Sequence, residues 1–156
     1  MPQITPFLSF NDNAEEAVNF YVSLFKDAKV TSTARYSEAG PGPAGSVMTM
    51  KFQIGGVEFI ALNGGPHDPT LTVSFVVNCE TQAEVDRFWD QLGKGGKTHQ
   101  CGWVTDRFGI TWQVTPTILP KFLQDKDTTK AARVMQAMMN MVKLDIPALE
   151  RAYNGD

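Results

Sequence analysis

The sequence predicts an α+β fold of two successive β-α-β-β-β modules with curved mixed sheets, followed by a helical C-terminal extension. Three observations carry that prediction. Residues 4–63 read as strand, helix and three strands; the same order returns after a Gly- and Pro-rich linker; and a helical period takes over beyond Pro116. With 156 residues, 42% hydrophobic and 20% charged, the chain has the size and composition of one ordinary globular domain. We therefore expect a single domain over 1–156, with module one at 1–65, module two at 70–115 and the extension at 116–156.

Each element has its own local reason. ITPFLSF (4–10) is aromatic and β-branched, a strand pattern, and Asn11, Asp12 and Asn13 then supply turn and N-cap chemistry. Over 13–26, Ala17, Val18, Phe20, Tyr21, Leu24 and Phe25 recur at helical spacing, and Glu15 and Glu16 suit the positive end of the helix dipole. Strands are expected at 29–36, 46–54 and 57–63, the first two separated by EAGPGPAG (38–45) and the last two joined at Gly55-Gly56. After NGGPHDP (63–69), LTVSFVVN (71–78) begins the second module. A helix over 80–92 follows, with Val85, Phe88, Trp89 and Leu92 as its apolar stripe. An offset of 68 pairs Phe7 with Phe75, Glu16 with Glu84, Phe20 with Phe88, Tyr21 with Trp89 and Leu24 with Leu92. Further strands fall near 96–100, 102–106 and 110–115. The extension then offers a short helix to Leu123, a methionine-rich helix opened by Asp127 or Thr128, and a last helix capped by Asp145 with Pro147 in its first turn. The methionines are expected to pack on the sheet or on a second subunit.

Composition excludes several functions. Fourteen Lys and Arg against 17 Asp and Glu give a charge of -3, which leaves no basic excess for neutralising nucleic-acid phosphates. No apolar run approaches the length of a membrane span, and the first residues lack the pattern of a secretory signal. Two cysteines, Cys79 and Cys101, make no disulfide framework, so a reducing cytoplasm is expected. No nucleic-acid or membrane partner is expected.

The chemistry-bearing residues are sparse. His67 and His99 show no metal-ligand spacing, and no glycine pattern suits a phosphate or dinucleotide. Cys101, in THQCGWVTDRFG, would share a strand face with His99, but at about 6.6 Å along a strand the two are too far apart for direct proton transfer. Glu58 is a carboxylate within the strand GGVEFIAL. Gln113, in ITWQVT, groups by alternation with Thr111 and Thr115, away from Trp112 and Val114, and its amide both donates and accepts. Trp103 and Phe75 would add aromatic surface. Gln113, Cys101, Glu58, Trp103 and Phe75 are the candidate pocket residues; no catalytic residue is assigned.

The segments SFNDNAEEAVNFYVSLF, GGVEFIALNGG, CGWVTDRFGITWQVTP and KAARVMQAMMNMVKLDIPALERAY resemble the PhnB-like family, often labelled 3-demethylubiquinone-9 3-methyltransferase. That family lies in the glyoxalase/bleomycin-resistance/dioxygenase (vicinal oxygen chelate) superfamily. The resemblance implies half-barrel modules, a cavity between paired modules and a homodimer. It also implies approximate metal-ligand positions, which fall here on Thr5, Ile60, Val73 or Thr72, and Gln113. Isoleucine and valine donate nothing and threonine is a poor ligand, so no metal and no cofactor is expected. The leading functional expectation is a metal-free protein that binds an unidentified small molecule. The alternatives are a metal-independent enzyme acting on a small electrophilic or quinone-like substrate, and a drug-sequestering resistance-type protein.

Overall fold

The computed structural model describes residues 2–156. It divides into two compact units: Thr5–Ser74, and Phe75–Asp156 with the start of the chain up to Ile4. The boundaries fall inside two strands rather than in the linker.

In the first unit the strands are β1 (Gln3–Phe10), β2 (Lys29–Arg35), β3 (Val47–Ile54) and β4 (Val57–Asn63), ordered β2-β3-β4-β1, with helix α1 (Ala14–Leu24) between β1 and β2. β1 runs parallel to β4, with Phe7 opposite Ile60, and β3 pairs antiparallel with both β2 and β4. The β3–β4 turn is built on Gly55 and Gly56, whose φ angles of 57° and 78° are those a tight two-residue hairpin requires. Ala14 and Val18 of α1 bury against Val47, Met50, Phe52 and Ala61, joined by Leu8, Phe10 and Phe59. That core lies on one face of the sheet.

Asn63 ties this unit together. Its Oδ1 accepts the first helical N–H, from Ala14 at 2.9 Å, its Nδ2 donates to the Val47 carbonyl at 3.2 Å, and its own carbonyl accepts from the Tyr36 hydroxyl. The expected cap is therefore corrected. Asn13 occupies the N-cap position but makes no side-chain cap bond, and the one first-turn N–H that a side chain does satisfy is held from 49 residues away. The apolar stripe is corrected too. Phe20, Leu24 and Phe25 are exposed, while Ala14, Val18, Tyr21 and Val22 face the core, so the six apolar positions span more than the buried face.

The second unit contains β5 (Val73–Cys79), α2 (Gln82–Gly93), β6 (Lys97–Thr98), β7 (Trp103–Thr105) and β8 (Thr111–Pro116), its strands ordered β5-β8-β7-β6. β5 starts two residues later than expected, because Pro69–Leu71 forms a 3-10 turn capped by Asp68. Thr81 accepts the Glu84 N–H to begin α2, and Glu84 reaches back to the Glu80 N–H. Val85, Phe88, Trp89 and Leu92 pack on Val77, Cys79, Val104, Trp112 and Val114. The strand expected at 96–100 shrinks to two residues, and Gln100–Gly102 is instead a 3-10 turn.

The extension forms α3 (Ile118–Leu123), α4 (Thr128–Met139) and α5 (Ile146–Asn154). Asp127 and Asp145 cap the last two, and Pro147 sits in the first turn of α5 as expected. These helices carry a small core of their own, from Leu119, Val134, Leu144 and Leu149, with Phe122, Leu123, Met138, Met141 and Tyr153 around it. Met138 and Met141 thus belong to the extension's core rather than lying flat on a sheet.

Replacing Asn63 with Ala removes the α1 cap and the anchor of β3 together. We expect a loss of about 1–3 kcal/mol in urea unfolding, whereas Asn13→Ala should cost less than about 0.5 kcal/mol.

Candidate functional site

Alternation assigns the two faces of the module-two sheet. Trp112 and Val114 lie on the α2 side, so Thr111 and Gln113 face the other way. Antiparallel register places Trp103 opposite Gln113 and Thr105 opposite Thr111, on that same side. Thr111 and Gln113 are buried, at 1% and 8% exposure, and Trp103 and Thr105 are half-buried. The Thr105 and Thr111 hydroxyls lie 3.0 Å apart, and the His99 Nε2 lies 2.9 Å from the Thr105 hydroxyl. His99, Thr105 and Thr111 therefore form a continuous hydrogen-bonded row leading toward Gln113. β5, β7 and β8 contain no charged residue at all. The face is polar and uncharged over these three strands and bordered by an indole, while β6 at the edge sets exposed Lys97 opposite Thr105.

His99 reaches this row from the turn, not from a strand. Its N–H donates to the Trp103 carbonyl at 2.8 Å, closing the turn around Cys101 and Gly102. Cys101 has φ 61°, alone among the described non-glycine residues in the left-handed region, and Gly102 follows with φ 82°. A side chain at Gly102 would meet the Val114 carbonyl at 2.9 Å and Leu144 at 3.0 Å, so this position accepts only glycine. The expected strand alignment of His99 with Cys101 is therefore replaced by a turn. Burial pushes the Cys101 thiol above its ordinary value, and that of Cys79 up to about 11, which opposes nucleophilic use of either.

The remaining candidates are dispersed. Phe75 packs on Trp112, with ring centroids 5.5 Å apart, on the α2 side of the sheet and away from Gln113. Glu58 sits in β4 of the other unit, opposite Gln53 and half-buried, on the face away from Phe59 and Ala61. His67 is engaged within its own loop, with the Gly65 carbonyl and the Thr72 hydroxyl each 3.1 Å from a ring nitrogen. Among the described residues, no group of three or more His, Cys, Asp or Glu is arranged to hold a metal ion. Sequence reasoning singled out Gln113 and Trp103 and grouped Thr111 with Gln113 by alternation, but passed over Thr105, which joins them through the β7–β8 register.

Beyond the row, Asp106 builds the β7–β8 turn. Its Oδ1 accepts the N–H groups of Phe108 and Ile110 at 2.9 and 3.0 Å, and its Oδ2 accepts the Trp112 indole N–H at 3.0 Å. Asp106 thus fixes both the turn and the indole behind the Gln113 strand.

The family model described as 3-demethylubiquinone-9 3-methyltransferase matches residues 2–115. The chain belongs to that family. Solved structures are similar to it as well. The PhnB protein from Bacillus cereus is 35% identical, covers 72% of this chain and 97% of its own, and superposes with a TM-score of 0.38. A Staphylococcus aureus protein is 30% identical over 72% of this chain and 94% of its own, with a TM-score of 0.58. A glyoxalase/bleomycin resistance protein/dioxygenase superfamily member from Vibrio splendidus 12B01 is 13% identical, covering 72% and 95%, with a TM-score of 0.42. No curated protein matches. The family match ends at the last strand, so the three C-terminal helices lie outside it.

Burial by itself raises the Asp106 carboxyl. The Trp112 indole, the Ile110 and Phe108 N–H groups and the Arg107 charge outweigh it and hold the group below the usual carboxylate range. A depressed folded value stabilises the protein above the unfolded value of about 4 and is lost as pH falls through the folded one. Thermal melts of wild type and Asp106→Asn should therefore differ most above about pH 4 and converge in stronger acid.

Proposed function

We propose that this PhnB-like protein binds an uncharged, planar, polar small molecule on the Gln113 face of module two, without a metal ion. The observation that carries this reading is the absence of charge on the inner strands β5, β7 and β8. Buried Gln113 and Thr111, with Thr105 and His99, present donors and acceptors beside the Trp103 indole, and β5, β7 and β8 offer no counter-charge, the exposed Lys97 of β6 lying at the edge. A charged ligand would lose its hydration there with nothing to replace it, whereas a phenol- or quinone-like ring exchanges hydrogen bonds and keeps its stacking energy. Family membership supports small-molecule binding in general; the uncharged inner strands narrow the class.

The metal-free part of the proposal is supported by the donor chemistry. The positions implied for ligands carry Thr5, Ile60, Val73 or Thr72, and Gln113, too few anionic or imidazole donors to offset the desolvation of a divalent ion. The family description names a methyl transfer. The turns that follow β1 and β5 read Asn11-Asp12-Asn13 and Glu80-Thr81, with no glycine to bring backbone close to a nucleotide-bearing methyl donor. The chain is further proposed to act as a homodimer. Exposed Phe20, Leu24 and Phe25 at the end of α1 support a second copy as the cover for that side, and light scattering tests it.

The binding test uses three probes of one size. In nuclear magnetic resonance titrations, 4-methoxyphenol should shift the Trp103 indole resonance, while 4-methoxybenzoate and protonated 4-methoxybenzylamine should not. Gln113→Leu should weaken the phenol by about tenfold, the loss of roughly one hydrogen bond. Preference for the amine would favour a drug-sequestering protein instead, and saturable binding of S-adenosylmethionine would restore methyl transfer.

Elemental analysis of the purified protein should find no stoichiometric zinc, nickel, iron or manganese, and chelation should leave its melting temperature unchanged. One metal per chain, lost together with thermal stability, would refute the metal-free reading.

A further inference from the structure

Residues 141–146, which run from the loop after α4 to the first residue of α5, are bonded to module two at almost every position. The Cys101 N–H donates to the Met141 carbonyl at 2.8 Å, and the Gly102 N–H to the Val142 carbonyl at 2.7 Å. The Lys143 ammonium lies 2.9 Å from Asp86 of α2. Gln82, also on α2, donates from Nε2 to the Leu144 carbonyl at 3.1 Å, and its Oε1 accepts the Ile146 N–H at 2.7 Å. The Leu144 side chain is fully buried, against the space a Gly102 side chain would need.

These contacts meet a strained piece of backbone. A non-glycine residue in the left-handed region costs of order 1–3 kcal/mol and persists only where its surroundings over-determine it. For Cys101 the surroundings are the carbonyls of Met141 and Val142. The residue after this turn is Trp103, whose carbonyl closes the turn onto His99 and whose register partner is Gln113.

We propose that the 141–146 segment is a strap that positions Trp103 and His99, so that the extension, which lies outside the family match, sets the geometry of the ligand face. The proposal rests on that face being the binding site. Gln82 is its positioning residue: one amide holds both ends of the strap's last three residues, while the half-exposed Lys143–Asp86 pair contributes little. The strap acts on orientation and contributes no group to the ligand itself.

The test compares full-length wild type, Gln82→Met, which keeps the side-chain length and loses both strap hydrogen bonds together with the 3.0 Å bond to Asp86, and Gln82→Glu, which keeps the acceptor for Ile146. In Gln82→Met the amides of Cys101 and Gly102 should exchange about tenfold faster or more, with Val104 and Val114 unchanged. The Trp103 indole resonance should move, and 4-methoxyphenol should bind about threefold more weakly or worse. Gln82→Glu should recover part of each effect. Unchanged exchange at Cys101 and Gly102 would overturn the strap, as would faster exchange with an unmoved Trp103 resonance. Should wild type fail to bind 4-methoxyphenol, the functional reading falls on its own, while the exchange and indole measurements still decide the strap.

Discussion

A four-stranded sheet served by one helix can bury only one of its faces under that helix, and much of this structure follows from that constraint. In each unit the helix takes the face that its apolar side chains fit: Ala14 and Val18 over Phe52 and Ala61, Val85 over Val104 and Val114. Strand alternation then sends every second residue to the opposite side. On β7 and β8 those residues are Trp103, Thr105, Thr111 and Gln113, whose donors and acceptors separate this part of the side from a second core. The candidate site is thus the complement of the core, fixed by the same alternation.

Much of the fold was legible in the sequence because the signals were local. Gly55-Gly56 marks its hairpin and Asp127 and Asp145 the later helices, and each acts within a few residues. The misreadings arose where a distant group supplied the interaction. Asn63 caps α1 from the far end of β4, a role that Asn13 looked equally suited to fill. The apolar run of α1 is wider than its buried stripe, so periodicity alone could not mark Phe20 and Leu24 as exposed. The 96–100 strand was lost to a turn whose carbonyl partners lie some forty residues downstream.

The site was legible in part for the same reason. Gln113 emerged from parity along one strand, and Trp103 from its aromatic character. Linking them required the β7–β8 register, which also brings Thr105 to the Thr111 that parity had already set beside Gln113. Phe75 looked equivalent to Trp103 as aromatic area, yet one residue of strand phase puts it beside Trp112 on the helix side. Glu58 belongs to the other unit, and nothing in its local sequence indicated which face it would take.

The bonds from Gln82 to residues 144 and 146 span 62 and 64 positions of sequence. Contacts of that separation close late, because the entropy of the intervening loop must be met before they return anything. A ribosome also makes the strap after every strand of module two. The nascent sheet can therefore pair, and α2 can settle on it, while Cys101 is still without its carbonyl partners and free of its left-handed backbone. Docking of the last two helices then becomes the step that turns a folded sheet into a finished one. Maturation of the ligand face is thereby separated in time from acquisition of the fold.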